Sequence, residues 1–324
     1  MKSLFAAVFA ILLGSCPCEI RADEYRIGAW NIEWLGFPDK RGRPGKDVTQ
    51  QPSELAAYIA NANLDVLALE EIGVDQRSGP WTSKQLDAVV KELNDSHHQP
   101  WQYRLFAKAN YPEGTEDFVV RGQHTGIAWR SDRATLASEP FSVPVGENEA
   151  YGIKFWERRA TAVKLSFGQG KTDMVFVPVH LKSNRNDVHP DDKSFTQKQR
   201  HAEIKVFAEQ LQTLKKHFAD EDIVVLGDTN ILGPEDDTSK PLLDSGFVDL
   251  NQDDSGTTAA WGEGYSSAPF DRIFVPKTQP EFRGAVQKVY RTKNGTDDEI
   301  KDFKKRLSDH YLVSCVVQIA ADDD

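Results

Sequence analysis

Four apolar, β-rich runs of this chain each end in a polar residue of a type that can carry chemistry. The runs cover residues 25–31, 65–71, 174–180 and 223–228, and they end in Asn31, Glu71, His180 and Asp228. Continuous apolar runs of this length are typical of strands buried inside an α/β protein. Because functional side chains collect where such strands end, the pattern predicts that these residues converge at one edge of a buried sheet.

Helix-like segments alternate with the strand-like runs. The spacing of apolar residues predicts helices over 53–63, 82–93 and 196–218, and shorter strands at 103–107, 126–130, 159–167 and 272–275. Strands that are separated by helices in some places and linked as hairpins in others predict an α/β fold, with two stacked mixed sheets between helical layers. The chain has 324 residues, 39% of them hydrophobic, and no internal linker, so we expect residues 23–324 to form a single domain.

The N-terminus has the pattern of a secretory signal. Lys2 is followed by the apolar run 4–13, which is too short to span a bilayer. We expect residues 1–22 to be a signal peptide and the protein to be periplasmic or extracellular. Alternatively, the segment is a lipoprotein signal that ends at Ser15, with Cys16 carrying a lipid tether. No other segment of the sequence is long and apolar enough to predict a transmembrane helix.

Charge and cysteine content narrow the class of protein. The formal net charge is −11 and the pI is about 5.3, which argues against tight, salt-driven binding of nucleic acid by the whole surface but leaves nucleic acid open as a substrate. The basic run 40–46 predicts either a loop that holds a phosphate backbone or a solvated surface loop.

Cys315 lies in an apolar run and is expected to be a buried structural thiol, so stability depends on the core rather than on disulfides.

Several polar residues fit the hydrolysis of a phosphate ester. Glu71 is a hard oxygen ligand of the kind that Mg²⁺ prefers. Asp228 and Asn230, two residues apart, can hold one water, the carboxylate accepting its proton while the amide aligns it. Asp271 and His310 are expected to form a carboxylate–imidazole pair in which the carboxylate fixes the tautomer and raises the basicity of the ring. Whether Asp228 or the Asp271–His310 pair is the base stays open at this stage.

The order of these motifs resembles the endonuclease/exonuclease/phosphatase superfamily, the DNase I-like proteins. The resemblance covers residues 25–318 and rests on Trp30-Asn31-Ile32-Glu33, Leu69-Glu70-Glu71, Thr125-Gly126, Arg158, His180-Leu181-Lys182, Gly227-Asp228-Thr229-Asn230, Asp271-Arg272-Ile273 and Ser308-Asp309-His310. It implies a four-layer α/β/β/α sandwich. It also implies phosphoester hydrolysis assisted by Mg²⁺, with Mn²⁺ or Ca²⁺ as alternatives.

The resemblance also implies roles for individual residues. The group around the metal would be Glu71 with Asn31, Glu33 and Asp309. Asn31 would also contact the scissile phosphate, as would Arg158, which we favour over the adjacent Arg159. His180 would protonate the leaving oxygen or bind phosphate. Glu70 departs from the glutamine that is usual in this family, and the sequence assigns it no role.

Secretion, two histidines among the motifs and the His180-Leu181-Lys182-Ser183 run resemble secreted nucleases. We therefore expect an endonuclease that acts as a monomer on DNA, with RNA as a second polymer. The alternative is a sphingomyelinase-like or other hydrolase of small phosphodiesters or phosphomonoesters, for which the aromatic runs 151–156 and 261–265 are candidate lipid-contacting loops. A binding protein without catalysis on the same fold is a third class, and it is disfavoured because every expected site position is filled.

Overall fold

The computed structural model describes residues 23–36, 50–75, 81–107, 123–144, 149–150, 153–154, 158–185, 191–192, 194–260, 262 and 266–322. The predicted signal segment 1–22 and the basic run 40–46 lie outside these residues, and so do most of the aromatic runs 151–156 and 261–265. None of the helices in the described ranges combines the length and the apolar character that a bilayer crossing requires.

Within these described ranges the strands form two large sheets and one two-stranded hairpin. In chain order they are β1 (Asp23–Leu35), β2 (Val66–Ile72), β3 (Trp101–Leu105), β4 (His124–Arg130), β5 (Thr135–Leu136), β6 (Phe141–Ser142), β7 (Glu149–Ala150), β8 (Ile153–Lys154), β9 (Thr161–Ser166), β10 (Asp173–His180), β11 (Ile223–Asp228), β12 (Phe247–Asp249), β13 (Asp271–Pro276), β14 (Lys288–Val289) and β15 (Val313–Ile319). The first sheet has the order β14-β15-β1-β2-β4-β3. The second has the order β12-β13-β11-β10-β9-β5 with β6 paired to β9, while β7 and β8 pair with each other.

Both sheets are mixed, as the sequence predicted. β1 runs parallel to β2 and antiparallel to β15, and β10 runs parallel to β11 while β11 runs antiparallel to β13. Because the carboxyl ends of parallel neighbours lie at the same edge of a sheet, the chemistry-bearing ends of β1, β2, β10 and β11 are brought together. β13 starts at this edge, where Asp271 lies opposite Asp228.

The helices are α1 (Pro52–Ala62), α2 (Lys84–Asp95), α3 (Phe195–Ala208), α4 (Leu211–Phe218), α5 (Lys240–Asp244) and α6 (Asp297–Arg306). The prediction of one continuous helix over 196–218 is wrong, because the chain forms α3 and α4 with a break between them. At the break the amide of Gln210 bonds to the carbonyl of Phe207 at 2.8 Å, a tight i to i−3 turn. The prediction over 82–93 began too early, since Ser83 is the N-cap of α2 and accepts the amide of Leu86.

Three apolar clusters define four layers. One cluster lies between the sheets, where Ile27 of β1 and Phe176 of β10 share a core. A second cluster packs the outer face of the first sheet on α1 and α2, for example Leu69 near Leu55. A third packs the outer face of β10 and β11 on α3 and α4. The predicted α/β architecture of two mixed sheets flanked by helices is therefore confirmed, and Cys315 of β15 lies buried in the central cluster.

Candidate active site

The backbone at the ends of several strands has a shifted register and unusual φ angles. The side chains there lie in a cleft between the two sheets. Asn31 lies opposite Glu70 in the pairing of β1 with β2, after which the register shifts. Glu33, Glu71 and Asn230 follow with φ angles of 41°, 58° and 53°. Left-handed conformations are costly for residues with a side chain and are enriched at functional sites. These three residues therefore take unusual backbone positions at the edge where the sequence predicted a site.

The imidazole of His310 is held by contacts along its ring and backbone. Its Nδ1 lies 2.8 Å from Oδ2 of Asp271, which also accepts the hydroxyl of Thr257 at 2.6 Å. The amide of His310 donates to the Ser308 hydroxyl at 3.0 Å, and its carbonyl accepts the indole N–H of Trp30 at 2.9 Å. The ring is thus fixed with Nδ1 on a buried carboxylate and Nε2 directed towards the other site residues.

Asp228 lies at the centre of the cleft. Its Oδ2 accepts the Asn31 amide at 3.1 Å and lies 3.4 Å from Nε2 of His180 and 3.8 Å from Nε2 of His310. Its Oδ1 accepts the backbone amide of Asn230 at 2.9 Å. Four of the predicted site residues therefore surround this one carboxylate.

Burial and neighbouring charges shift the ionisation of these groups. Burial disfavours the charged form of His310, but Asp271 and Asp228 outweigh it and raise the pKa of His310 well above its ordinary value. Burial raises the pKa of Asp228 to about 6, with His310 opposing the rise and Asp271 adding to it. At neutral pH the metal-free site thus favours an imidazolium beside a carboxylate.

Glu70 of β2 is buried against the end of β11. One of its oxygens accepts the amide of Asp228 at 3.0 Å. The other packs on Gly227, where a Cβ would lie 2.2 Å from the carbonyl of Val179 and 2.6 Å from Glu70 Oε1. Gly227 also has a φ of 135°, so only glycine fits here. Burial, then Asp271 and Asp228, raise the pKa of Glu70 well above its ordinary value, and a neutral carboxyl stands where the family usually has an amide.

Glu71 is the centre of the predicted metal group. Its Oε2 accepts the amide of Trp34 at 3.1 Å, and its Oε1 accepts the side-chain amide of Gln123 at 3.2 Å and lies 3.8 Å from Nε2 of His180. Burial, followed by the charge of Asp309, raises the pKa of Glu71 to about 7.

The residues around Glu71 fit a hard divalent cation. Glu33 is buried at this edge, with its backbone amide on the Asn31 side-chain oxygen at 3.0 Å, and Asp309 acts electrostatically on Glu71. Carboxylate and amide oxygens are the donors that Mg²⁺ takes. A divalent ion would also favour the ionised form of Glu71, whose pKa is raised by burial and then by nearby acidic groups.

A tighter acidic cluster is formed by Asp228, Asp271 and His310, whose ligand atoms all lie within 4.8 Å of one another. We interpret it as a hydrogen-bonded group rather than as the metal site. The contact between Asp271 and His310 is 2.8 Å long, which is a hydrogen-bond distance with no room for an ion between the two atoms.

Arg158 reaches the cleft through Gln123, a residue that the sequence argument missed. The Arg158 guanidinium donates to the Gln123 side-chain oxygen at 2.8 Å and to the carbonyl of Leu181 at 3.3 Å. The amide nitrogen of Gln123 donates to Glu71. Gln123 precedes the Thr125-Gly126 motif by two residues and β4 by one, and this position was its only sequence signal. Arg158 is buried and Arg159 is only partly buried.

The remaining predicted residues also lie at this edge. Asn230 donates its side-chain amide to the carbonyl of Leu181 at 3.4 Å, and its own carbonyl accepts the side chain of Asn184 at 3.0 Å. Asp309 is half-buried and its carbonyl accepts the amide of Ala259 at 2.8 Å. Asp309 acts electrostatically on both Glu71 and His310, and His310 also bonds to Asp271. All of the predicted site residues lie at one edge.

Comparisons with solved structures agree with this architecture. The D. rerio TDP2 structure complexed with a single-strand DNA product is 19% identical, with a TM-score of 0.53, covering 92% of this chain and 99% of that one. A Bacteroides thetaiotaomicron endonuclease/exonuclease/phosphatase family protein is 13% identical with a TM-score of 0.58, covering 92% and 98% of the two chains. A mannosyl-6-phosphatase of Bacteroides thetaiotaomicron VPI-5482 is 13% identical with a TM-score of 0.56, covering 91% and 99%. At these identities the likenesses show the fold alone.

No curated protein matches the chain. The family model described as Endonuclease/Exonuclease/phosphatase family matches residues 28–310, which is most of the 324 residues. This match confirms the resemblance drawn from the motifs. The chain belongs to the Endonuclease/Exonuclease/phosphatase family.

Proposed function

We propose that this protein is a secreted, metal-dependent endonuclease that hydrolyses DNA, with RNA as a second polymer. Family membership supports phosphoester hydrolysis in general. The proposal depends on one observation, which is that three groups lie close together. Asp271 and His310 are 2.8 Å apart, and Asp228 lies 3.8 Å from the other ring nitrogen of His310. His180 lies between Asp228 and Glu71, at 3.4 Å from the first and 3.8 Å from the second.

Glu71, with Asn31, Glu33 and Asp309, would hold Mg²⁺, and Mn²⁺ or Ca²⁺ are alternatives. When bound, the ion would neutralise negative charge on the phosphate oxygens and on the leaving oxygen. The side-chain amide of Asn31, which donates to Asp228 at 3.1 Å, would hold that carboxylate in a fixed position beside the metal group.

The attacking water would be activated by Asp228 and aligned by Asn230. Asp228, with a pKa of about 6, is mostly ionised at neutral pH and can accept a proton. His310, whose pKa is raised well above its ordinary value, is charged under the same conditions. We therefore assign Asp228 as the base and the His310 imidazolium as a donor to a phosphate oxygen.

His180 and Arg158 would act on the substrate. Nε2 of His180 lies 3.4 Å from Asp228 and 3.8 Å from Glu71, so it is between the base and the metal group and can protonate the leaving oxygen. Arg158, held by Gln123 at 2.8 Å, would contact a phosphate oxygen with its guanidinium.

The test is hydrolysis by the mature chain in Mg²⁺, Mn²⁺ or Ca²⁺, with supercoiled plasmid, single-stranded DNA, RNA and sphingomyelin as substrates. We expect nicked plasmid with a divalent ion and none in EDTA. Activity that survives EDTA would contradict metal dependence, and phosphocholine release alone would replace DNA by the lipid. A protein that binds DNA equally in EDTA but cleaves nothing would be the non-catalytic class.

A phosphomonoesterase is the second candidate, because one structure of similar fold is a mannosyl-6-phosphatase. Release of inorganic phosphate from mannose 6-phosphate at a higher kcat/KM than plasmid nicking would establish it.

Export is a separate part of the proposal. We infer cleavage after residue 22, or lipid attachment at Cys16 after cleavage at Ser15, from the N-terminal sequence. The intact mass of the exported protein distinguishes the two forms. A full-length chain that stays in the cytoplasm would contradict both.

A further inference from the structure

A cavity of about 490 Å³ opens beside the reactive groups, and the mechanism above does not use it. His310, Asp309 and Lys304 are its charged or titratable lining residues. The rest of the lining is mostly apolar and includes Ala259, Ala260, Ala268 and Phe270. A group that is covalently joined to a phosphate at His310 can therefore enter this cavity directly.

The wall of the cavity is tied to the catalytic pair. The amide of Thr257 donates to the carbonyl of Ala268 at 2.8 Å, and the hydroxyl of Thr257 donates to Asp271 at 2.6 Å. The amide of Ala259 donates to the carbonyl of Asp309 at 2.8 Å. Thr257 thus bonds both to the cavity wall and to the catalytic pair, and Ala259 of the wall bonds to Asp309. The cavity therefore has a defined place relative to the scissile phosphate.

The chemistry of the lining narrows its occupant. The Phe270 ring lies 6.1 Å from the His310 imidazole, centroid to centroid, so a flat or apolar group can pack near the phosphate-binding ring. Lys304 belongs to the basic last turn of α6 together with Lys305 and Arg306. On a chain of net charge −11, a cation at this place favours a substrate with a second negative charge and disfavours the cationic choline of sphingomyelin.

We propose that this cavity binds the nucleotide next to the scissile phosphate, with its base or sugar on the Ala268–Phe270 wall and its outer phosphate at Lys304. The proposal rests on the proposed function and specifies the substrate class as a polynucleotide strand. It predicts that affinity depends on a phosphate beyond the one that reacts.

The binding experiment uses a fluorescein-labelled pentathymidylate in EDTA, followed by fluorescence anisotropy, so that no turnover occurs. Lys304→Glu should weaken binding about fivefold, since it removes one phosphate contact and adds repulsion. The matched control is Lys305→Glu, which makes the same charge change in the same turn at an exposed residue that does not line the cavity. The control should change the dissociation constant less than about twofold. Equal effects of the two variants would overturn the proposal.

A second variant, Ala268→Leu, narrows the cavity without changing charge. We expect it to lower kcat/KM for single-stranded DNA at least about fivefold more than Lys305→Glu does, because the side chain of Leu occupies space that the nucleotide needs. Thermal unfolding checks that the variant folds, and Lys304→Glu carries the test if it does not. If the wild type cleaves DNA while both variants match Lys305→Glu, the cavity proposal fails alone. If the wild type cleaves no phosphodiester, the proposed function fails. Cleavage of sphingomyelin without oligonucleotide binding would overturn both.

Discussion

The His310 imidazole has one carboxylate on each side, with Asp271 2.8 Å from Nδ1 and Asp228 3.8 Å from Nε2. The two contacts are unequal in kind. The first is a hydrogen bond that holds the ring, and the second is a longer electrostatic contact between two groups that face the cleft. This difference separates a positioning role for Asp271 from the direct roles of Asp228 and His310.

Asp271→Asn tests the separation. It removes the buried negative charge that raises the pKa of His310, so that pKa should fall. Because the charged ring is the active form in our assignment, the alkaline limb of the kcat profile should move to lower pH, and kcat should drop about a hundredfold. Measurement of kcat against pH with plasmid or bis(4-nitrophenyl) phosphate checks this. An unmoved limb would show that His310 does not titrate in the rate-determining step.

Truncation of Glu71 and of His310 should each remove activity while leaving the fold intact. Glu71→Ala deletes the centre of the metal group and His310→Ala the cationic donor, and each loss should exceed about a hundredfold. Asp298→Ala is the control, because the side chain of Asp298 is 100% exposed. Circular dichroism reports the fold, and turnover near the wild-type rate in either site variant would refute the mechanism.

Gln123 joins Glu71 to Arg158 through the two ends of one amide, at 3.2 Å and 2.8 Å. Gln123→Leu removes both hydrogen bonds, and the loss of a hydrogen bond that positions a metal ligand typically costs about 10- to 100-fold in metal affinity or activity. Mn²⁺ binding by electron paramagnetic resonance should weaken, and KM should rise as Arg158 loses its partner. Gln123→Glu keeps the Arg158 contact and places a carboxylate beside Glu71. It should therefore leave KM near the wild-type value, because Arg158 keeps its partner. Unchanged Mn²⁺ affinity in Gln123→Leu would show that Gln123 only fills space.

Most of the site could be predicted from residue types at strand ends, and the exceptions are informative. Asp228, Asp271 and His310 were identifiable because motif order and strand ends place them. Gln123 was not, because an amide before a strand has no distinctive spacing, and its role appears only when β2, β4 and the Arg158 segment meet. Glu70 was visible as a departure from the family but had no assignable role, since its partner amide at Asp228 belongs to the other sheet.

At the scale of elements, apolar runs located the central strands to within a few residues, except that β1 extends to Leu35. The break between α3 and α4 was missed for a physical reason. The buried positions Ile204, Phe207, Leu211 and Leu214 keep helical spacing across it, so the hydrophobic pattern shows no interruption. The break depends on the backbone hydrogen bond from Gln210 to Phe207, and the hydrophobic pattern carries no information about such a bond.

Glu70 connects the two sheets, because it lies on β2 and accepts the amide of Asp228 on β11 at 3.0 Å. Glu70→Gln keeps an oxygen for that amide and removes a buried ionisable group, so the free energy of unfolding at neutral pH should stay equal or rise. Glu70→Ala leaves a buried amide without its acceptor and should lose about 1–3 kcal/mol. Urea unfolding of both variants at pH 7 checks the order. Equal stabilities would show that the inter-sheet bond contributes nothing.

At the scale of the whole molecule, the two-sheet core holds several buried acids at one edge. Burial first, and neighbouring acids in addition, raise the pKa values of Glu70, Glu71 and Asp228. His310 shifts in the same direction because its two carboxylates outweigh burial. The pKa of Asp236, which lies outside this site, shifts in the opposite direction. Burial would raise it, but hydrogen bonds from Thr238 and the charge of Arg200 hold the pKa of Asp236 below its ordinary value.

These shifts predict how stability depends on pH without metal. A carboxyl whose pKa is raised on folding binds more protons in the folded state, so its contribution is present below the unfolded pKa and is lost as pH rises through the folded pKa. For Glu71 the rise from 4.5 to about 7 corresponds to about 3 kcal/mol. His310 contributes with the same sign at higher pH, while the Asp236 contribution is lost only as pH falls towards the acidic extreme. The free energy of unfolding in EDTA should therefore fall between about pH 5 and pH 8.

Mg²⁺ should reverse this trend, because it requires the ionised form of Glu71 and its binding stabilises the folded state by mass action. Urea unfolding at about pH 5, 6, 7 and 8, in EDTA and in excess Mg²⁺, should show a gap between the two conditions that widens with pH. Glu71→Gln is the matched control, since it keeps the shape of the side chain without the charge. The variant should have a shallower slope in EDTA and little response to Mg²⁺. A wild-type stability that rises with pH in EDTA would mean that the buried acids do not meet in a common cleft. A Mg²⁺ response unchanged in Glu71→Gln would place the ion elsewhere on the molecule.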